Sequence, residues 1–586
     1  MDNTAAAGTP AAARRPRVAY KWIALSNTTL GILMAMLDTS IVNISLPAIF
    51  RGIKLNPLDP ANGAYLLWML MGYLVVTAVF VVTFGRLGDM FGRVRMYNAG
   101  FAIFTLGSIA LSLVWSTGAA GAMELILLRL FQGVGGALLL ANSTAILTDA
   151  FPVNERGRAM GINMVAAIAG AFIGLIVGGL LADIHWRLVF WVNVPFGVVG
   201  TLWAYLMLKE VGIRTPARID WLGNLTFGAG LVMVLAGITY GIEPRGGHST
   251  GWQSPFVLSL LLGGTALLIA FIWIEQHVDQ PMFHLSLFRI RAFTAGNMAG
   301  MLSAVGRGGL QFLLIIWLQG IWLPLHGYNF ADTPLWAGIY MLPLTGGFLI
   351  VGPLSGWLSD RFGARPFATG GMLVTALSFG LMMLLPVNFP FLAFALLTLL
   401  NGVGMGLFAA PNTVAIMNSV PPRSRGVTSG MRMTFQNGGM VLSTGIFFSL
   451  LIAGLSAALP HAMYAGLVQQ GVPAVDATRV ANIPPIGSVF AALLGMNPMQ
   501  QLLGPKVLSA LPPDRAQYLT GKTFFPGLIS GPFMDGLKVA FAFALVMCLI
   551  AAVASALRGG IYLDEETAVV VPGLIASDTA AEVGAE

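Results

Sequence analysis

The chain has 586 residues, 56% of them hydrophobic and only 9% charged, against about 25% charged in soluble proteins. A net charge of +7 could suit a nucleic-acid binder, but the basic residues stand singly between apolar runs and form no patch, so the charge reads as membrane topology. One cysteine, Cys548, excludes a disulfide framework within the chain and any cysteine-based zinc site.

The start, Arg14-Arg15-Pro16-Arg17, resembles the basic region of a signal peptide. The apolar run after it, 22–49, is too long for one and lacks a small-residue cleavage site, so it reads as a retained helix. Crossing a bilayer takes roughly 20 apolar residues, and this run suffices. Near its middle stands Asp38, in Leu37-Asp38-Thr39-Ser40. A carboxylate at that depth costs on the order of a few kcal/mol and is rarely idle, so its default reading is an ion or proton site.

Thirteen further apolar segments follow at 64–84, 97–116, 123–147, 160–182, 188–208, 221–242, 255–275, 293–322, 335–356, 367–386, 391–417, 428–457 and 533–557. Alternate loops differ in charge. One set holds Arg51, Lys54, Arg187, Arg245, Arg479, Lys506, Arg515 and Lys522; the other, with the tails, holds Arg86, Arg93, Arg95, Arg156, Arg158, Lys209, Arg289, Arg291, Arg361, Arg365, Arg423, Arg425 and more. That imbalance predicts a multi-pass protein with both termini in the cytoplasm.

A repeat divides the chain. Gly85-Arg86-Leu87-Gly88-Asp89-Met90-Phe91-Gly92-Arg93 returns as Gly356-Trp357-Leu358-Ser359-Asp360-Arg361-Phe362-Gly363-Ala364, and Phe151-Pro152-Val153-Asn154-Glu155-Arg156-Gly157 as Val420-Pro421-Pro422-Arg423-Ser424-Arg425-Gly426. Two six-helix halves with two inserted helices account for the spacing, the architecture of a secondary transporter with a midplane site. The expected limits are a cytoplasmic tail at 1–21, a first bundle at 22–208, the inserted pair with flanking loops at 209–292, a second bundle at 293–558, and a disordered cytoplasmic tail at 559–586. Within the second bundle, 458–532 reads as a long outer loop, a partly ordered cap or interfacial helix. Its apolar piece, 486–496, is too short to span.

Single residues add chemistry. Arg129, in Arg129-Leu130-Phe131-Gln132-Gly133, sits about 9 Å below the outer surface at 1.5 Å per residue. Asp38, nine residues before Pro47, sits about 13 Å down by the same rise. The two opposite charges are therefore within reach of each other or joined by water. Burial disfavours a carboxylate's charge and a guanidinium favours it, and such opposed influences suit proton exchange. A purely structural role for Arg129 is the alternative. Gly170, Gly174 and Gly178 recur every four residues, beside Gly179, and permit a close helix crossing. Arg307, in Gly306-Arg307-Gly308-Gly309 with Gln311 one turn on, should face a cavity, since a midplane arginine in lipid is costly. It would bind an anionic or polar substrate, serve as a counter-charge for protons, or be satisfied by backbone carbonyls. Arg432 and Gln436 add polarity to the inner cavity, and Met34, Met36, Trp68 and Tyr73 either offer an adaptable apolar wall or face lipid. Thr520-Gly521-Lys522-Thr523 mimics the end of a phosphate-binding loop, but Ala516 stands where its first glycine belongs, so an ATP site is rejected.

These motifs resemble the major facilitator superfamily, and within it the fourteen-helix drug:proton antiporters, across nearly the whole chain. The 85–95 loop is similar to that family's signature between helices 2 and 3, and the Arg129 segment to its second motif. The 170–179 glycines resemble the exporters' antiporter motif, with Leu175 where a proline is usual. Trp186-Arg187-Leu188-Val189-Phe190-Trp191-Val192-Asn193-Val194-Pro195 and Asp220-Trp221-Leu222-Gly223 are similar to the drug-antiporter branch. The resemblance implies an all-α membrane protein with fourteen transmembrane helices, two six-helix bundles plus two inserted ones. It implies a conformational latch between halves at Gly85, Asp89, Gly92, Arg93 and at Gly356, Asp360, Gly363. Asp38 and Arg129 would couple protons, and Met34, Gln132, Arg307, Gln311, Arg432 and Gln436 would line the substrate cavity.

The expected function is export of small amphipathic compounds across the cytoplasmic (inner) membrane in exchange for protons. The proton gradient drives it, with no cofactor, ATP or nucleic acid; the oligomeric state stays open, with a monomer expected to be sufficient. The alternative keeps the fold but dedicates it to one endogenous metabolite, lipid, antibiotic or siderophore. A membrane enzyme or sensor is disfavoured, since His185, His248, His277, His284, His326 and His461 are dispersed and no catalytic set converges.

Overall fold

The computed structural model describes residues 19–559, apart from 57, 60–61, 153–154, 212–219, 243–250, 279–280, 282 and 421–424. Lipid offers a backbone amide no partner except its own helix, and every segment expected to be helical is helical. In chain order these are α1 (Tyr20–Gly52), α2 (Gly63–Phe91), α3 (Arg93–Ser112), α4 (Gly118–Ala150), α5 (Arg156–Ile184), a sixth stretch broken into α6 (Leu188–Trp191) and α7 (Asn193–Met207), α8 (Trp221–Ile242) and α9 (Pro255–Glu275). The ninth stretch comprises α10 (Arg291–Arg307), α11 (Leu310–Trp317), a π turn at Leu318–Trp322 and α12 (Leu323–Leu325). Then come α13 (Thr333–Tyr340), α14 (Leu342–Phe362), α15 (Ala364–Met382), α16 (Phe391–Asn418) and α17 (Arg425–Gln469).

Among the described residues, thirteen helical stretches are long and apolar enough to cross a membrane. The exception is α15, with 19 residues, whose Arg365, Thr369, Thr375 and Ser378 temper its hydropathy. It packs between α16 and α22, so polar groups such as Thr375 and Ser378 are buried by helices rather than lipid.

Helices α1 to α7 pack on one another, as do α10 to α17 with α22 (Phe524–Ala556). The groups meet where α2 touches α17 and where α5 touches α13 and α14. Helix α8 packs against α2 and α17 along that seam and α9 packs on α8. The sequence repeat is also a backbone repeat. Gly92 (φ 113°) separates α2 from α3, and Gly363 (φ 83°) separates α14 from α15. Both lie in the left-handed region that favours glycine.

The outer loop is helical and shorter than expected, because helices invade it from both sides. Helix α17 has 45 residues, about 67 Å at 1.5 Å per residue, against a hydrocarbon core of about 30 Å. Beyond it lie α18 (Ala474–Ala481), α19 (Pro485–Leu493), α20 (Met499–Ser509) and α21 (Pro513–Thr520). Every residue of α19 is buried, against α2, α11, α17 and α22. The helix expected at an interface is therefore a core helix: its apolar residues, such as Ile486, Val489, Phe490 and Leu493, find protein on every side. Both expected tails lie outside the described residues except for Ala19, Tyr20, Lys21 and Gly559.

Candidate functional site

Asp38 is completely buried and Arg129 is 2% exposed. Arg129 Nη1 donates to Asp38 Oδ2 at 2.6 Å. The other carboxylate oxygen, Oδ1, accepts from Asn193 Nδ2 at 2.7 Å and from Gln132 Nε2 at 3.1 Å. Gln132 Nε2 also donates to Ser108 Oγ at 2.8 Å, and its Oε1 accepts from Arg129 Nη1. The Arg129 guanidinium lies 4.8 Å from the centre of the Tyr73 ring, a cation–π arrangement. A carboxylate removed from water must recover its lost solvation from fixed donors, and here two helices, α4 and α7, bring three donors to the Asp38 of α1. Asn193 was not anticipated as a site residue. Its signal was present in the sequence as one amide inside the apolar Trp191-Val192-Asn193-Val194 run.

Beside this network is a cavity of about 1610 Å³, lined by residues of both helix groups. Met36, Thr39, Ser40 and Asn43 line it from α1, at the three-to-four-residue spacing of one helix face. Met34 and Asp38 occupy the opposite face. Met34 therefore does not line the cavity as expected; it is fully buried in a cluster with Tyr73, Tyr97, Phe101 and Phe104. Gln132 is likewise spent on the ion pair, not on the cavity wall. Trp68 packs against the core, whereas Tyr73 and Arg129 reach the lining.

Four of the expected cavity residues are in place. Arg307, Gln311, Arg432 and Gln436 all line it. Arg432 Nη1 donates to Gln436 Oε1 at 3.1 Å. The Nε atoms of Arg307 and Arg432 are buried without a hydrogen-bond partner among the described residues.

The cavity runs from the depth of Tyr73 and Arg129 to Arg86, Asp89, Asp149, Trp357 and Asn418, at the basic-loop end of the helices. At the other end the halves touch. A Cβ on Gly338 would stand 2.6 Å from the Leu175 carbonyl oxygen, and one on Gly179 would stand 2.8 Å from the Leu335 amide nitrogen. Gln319 Nε2, in the π turn, donates to the Ile44 carbonyl at 3.0 Å. The molecule is closed at the end expected to face outward and open at the end expected to face the cytoplasm. Glycines also set the α1–α5 crossing: a Cβ at Gly170, Gly174 or Gly178 would press on Leu33 O at 2.6 Å, Leu37 O at 2.7 Å or the Ile41 Cα at 2.9 Å. Leu175, in place of the usual proline, leaves this crossing intact.

In the 85–93 motif, Asp89 lies in the last turn of α2. Its Oδ1 accepts from Arg93 Nε at 2.8 Å, while Arg93 Nη1 bonds Asp149 Oδ1 at 2.6 Å. All three belong to the first bundle, so in this state they do not bridge the halves. Gly85 has open space around it, whereas Gly92 faces the Glu210 carboxylate, which accepts from the Arg95 amide at 2.9 Å. Gly356 lines the cavity from α14. Asp360 lies on the same helix, but its side chain is outside the described residues.

Comparison with known proteins fits this geometry. The model of the Major Facilitator Superfamily matches residues 28–222 and again 221–444. The chain is 30% identical to the riboflavin transporter RibZ of Clostridioides difficile (strain 630), over 74% of this chain and 89% of that protein. It is 32% identical to the multidrug resistance protein Stp of Mycobacterium tuberculosis (strain CDC 1551 / Oshkosh), over 75% and 78%. With the tetracenomycin C resistance and export protein of Streptomyces glaucescens it shares 27% identity over 93% of this chain and 92% of that one. In fold it is similar to a bacterial homologue of the human lysosomal transporter Spinster, solved inward-facing and unoccupied, with a TM-score of 0.54 at 16% identity over 92% of this chain and 97% of that one. The chain belongs to the major facilitator superfamily, and is a multi-pass secondary transporter, not an enzyme.

Proposed function

We propose that the chain is a drug:proton antiporter that expels small amphipathic compounds across the cytoplasmic membrane by alternating access. The observation that carries this reading is the buried Asp38–Arg129 pair whose arginine also forms cavity wall. In the inward-open state described, the carboxylate is held by three donors. When the outer side opens, Asp38 takes a proton and loses its attraction for Arg129, so the contact between α1 and α4 loosens and substrate leaves. Return to the inward-open state lets the proton go to the cytoplasm and restores the pair. Similarity to multidrug resistance proteins such as Stp supports the export direction. The latch at Arg93 would re-form between halves when the cytoplasmic end closes.

A second reading, a transporter dedicated to one compound, is favoured by the likeness to proteins named for riboflavin and for tetracenomycin C. Efflux of unrelated toxic compounds, compared with efflux of a single product, separates the two. The proton mechanism is tested by substrate efflux from proteoliposomes under an imposed pH gradient. Asp38→Asn should insert normally yet lose gradient-driven efflux; full coupling in that variant would end the proposal.

A further inference from the structure

The charged side chains in the cavity wall fall into two groups. Near the open end, Asp89 and Asp149 flank Arg93 at 2.7 and 2.6 Å, and Arg86 Nη2 donates to the Pro281 carbonyl at 2.7 Å. At the inner end Arg129 has its own carboxylate. The two arginines of the second bundle have none. Among the described residues no carboxylate lies within ion-pair distance of Arg307 or Arg432. The only hydrogen bond recorded for Arg432 goes to a neutral amide, and both guanidinium Nε atoms are buried and unpartnered. Helices α10 and α17 touch closely here, since a Cβ on Gly308 would stand 2.9 Å from the Met440 Cα and one on Gly439 would stand 3.0 Å from the Met301 carbonyl. Arg307 ends α10 and Arg432 stands in α17, two helices that pack together, and both line the same cavity.

Both residues are half-buried in the cavity wall with their Nε atoms out of reach of solvent; a guanidinium partly withdrawn from water without a counter-charge is costly, and arginine cannot escape by losing its proton. A guanidinium fork recovers that cost best from a planar or polyoxygen anion. The surrounding wall is apolar and adaptable, with Met36, Leu70, Ile168, Phe348, Met405 and Phe408. We infer that the α10–α17 seam is a binding site for the anionic group of an amphipathic organic substrate, a carboxylate, sulfonate or phenolate held by Arg307 and Arg432 with its apolar body against the facing wall. This deepens the export reading by naming the substrate class, and it is independent of whether protons drive the cycle.

Equilibrium binding to the detergent-purified full chain, measured by calorimetry, tests it with three probes sharing one ring system: naphthalene-2-sulfonate, 2-naphthylmethanol and 2-naphthyltrimethylammonium. The sulfonate should bind at least roughly tenfold tighter than the ammonium. Arg307→Gln and Arg432→Gln should each shrink that ratio, and together bring it near one. Arg307→Lys and Arg432→Lys keep the charge and should keep the order of preference, which guards against mere misfolding. Absence of sulfonate binding, an ammonium preference in the parent chain, or an unchanged ratio in the double Gln variant overturns the inference. No gradient is present, so a failure here is distinct from a failure of the Asp38→Asn efflux test.

Discussion

At the residue scale, the pairing of Asp38 with Arg129 was legible from two helix rises and one motif, because depth in a bilayer is counted along a helix. Asn193 and Ser108 were not, since apolar runs contain many single polar residues and only rotation about the helix axis decides which face inward. Met34 failed for the same reason: it is two positions from Met36 and so on nearly the opposite face. The network makes a double-mutant prediction. Removing one member of a buried pair leaves an uncompensated charge and costs about 3–5 kcal/mol, whereas removing both is far milder. Arg129→Gln alone should markedly lower the melting temperature in detergent, and Asp38→Asn combined with Arg129→Gln should recover much of it. Neither should restore gradient-driven efflux. Equal melting temperatures for the single and double variants would show that the pair is not an energetic unit.

At the element scale, helix existence was readable almost throughout, because hydrophobic runs of this length leave little alternative. The outer cap was not, since α19 is apolar but too short to be recognised as spanning, and nothing in its sequence says that protein rather than lipid headgroups covers it. Close approach of α1 and α5 is a matter of missing side chains. Gly174→Val would place carbon within 2.7 Å of Leu37 O and 2.8 Å of Ser40 Cβ, an overpacking that costs about 1–3 kcal/mol. Its melting temperature should fall and its efflux with it. Gly370→Ala on α15, where nothing lies within 4 Å, should hold or raise stability through helix propensity. A Gly174→Val protein as stable as the parent would mean that the helices separate freely at this crossing.

At the scale of the whole molecule, the two-bundle plan was visible in the repeated 85–93 and 356–364 motifs, which the matching left-handed glycines at 92 and 363 translate into matching turns. The conformational state was not visible, because a sequence encodes both states and the contacts at Gly179, Gly338 and Gln319 select only one. That state has an accessibility signature. Cys548 is buried, so an introduced cysteine reports alone. A membrane-impermeant maleimide should label Thr148→Cys from the cytoplasmic side in resting protein. It should not label Leu67→Cys, fully buried at the outer end of α2, until substrate and acid outside favour the opposite state. Ready labelling of Leu67→Cys from outside at rest would contradict the closure described. Helix α17 gives this rocking a further consequence. One helix carries Arg432 near one end and continues past Pro460 to pack on α18 and α19 at the other. The cavity wall and the cap thus share one backbone, so the two ends of the second bundle are parts of a single piece.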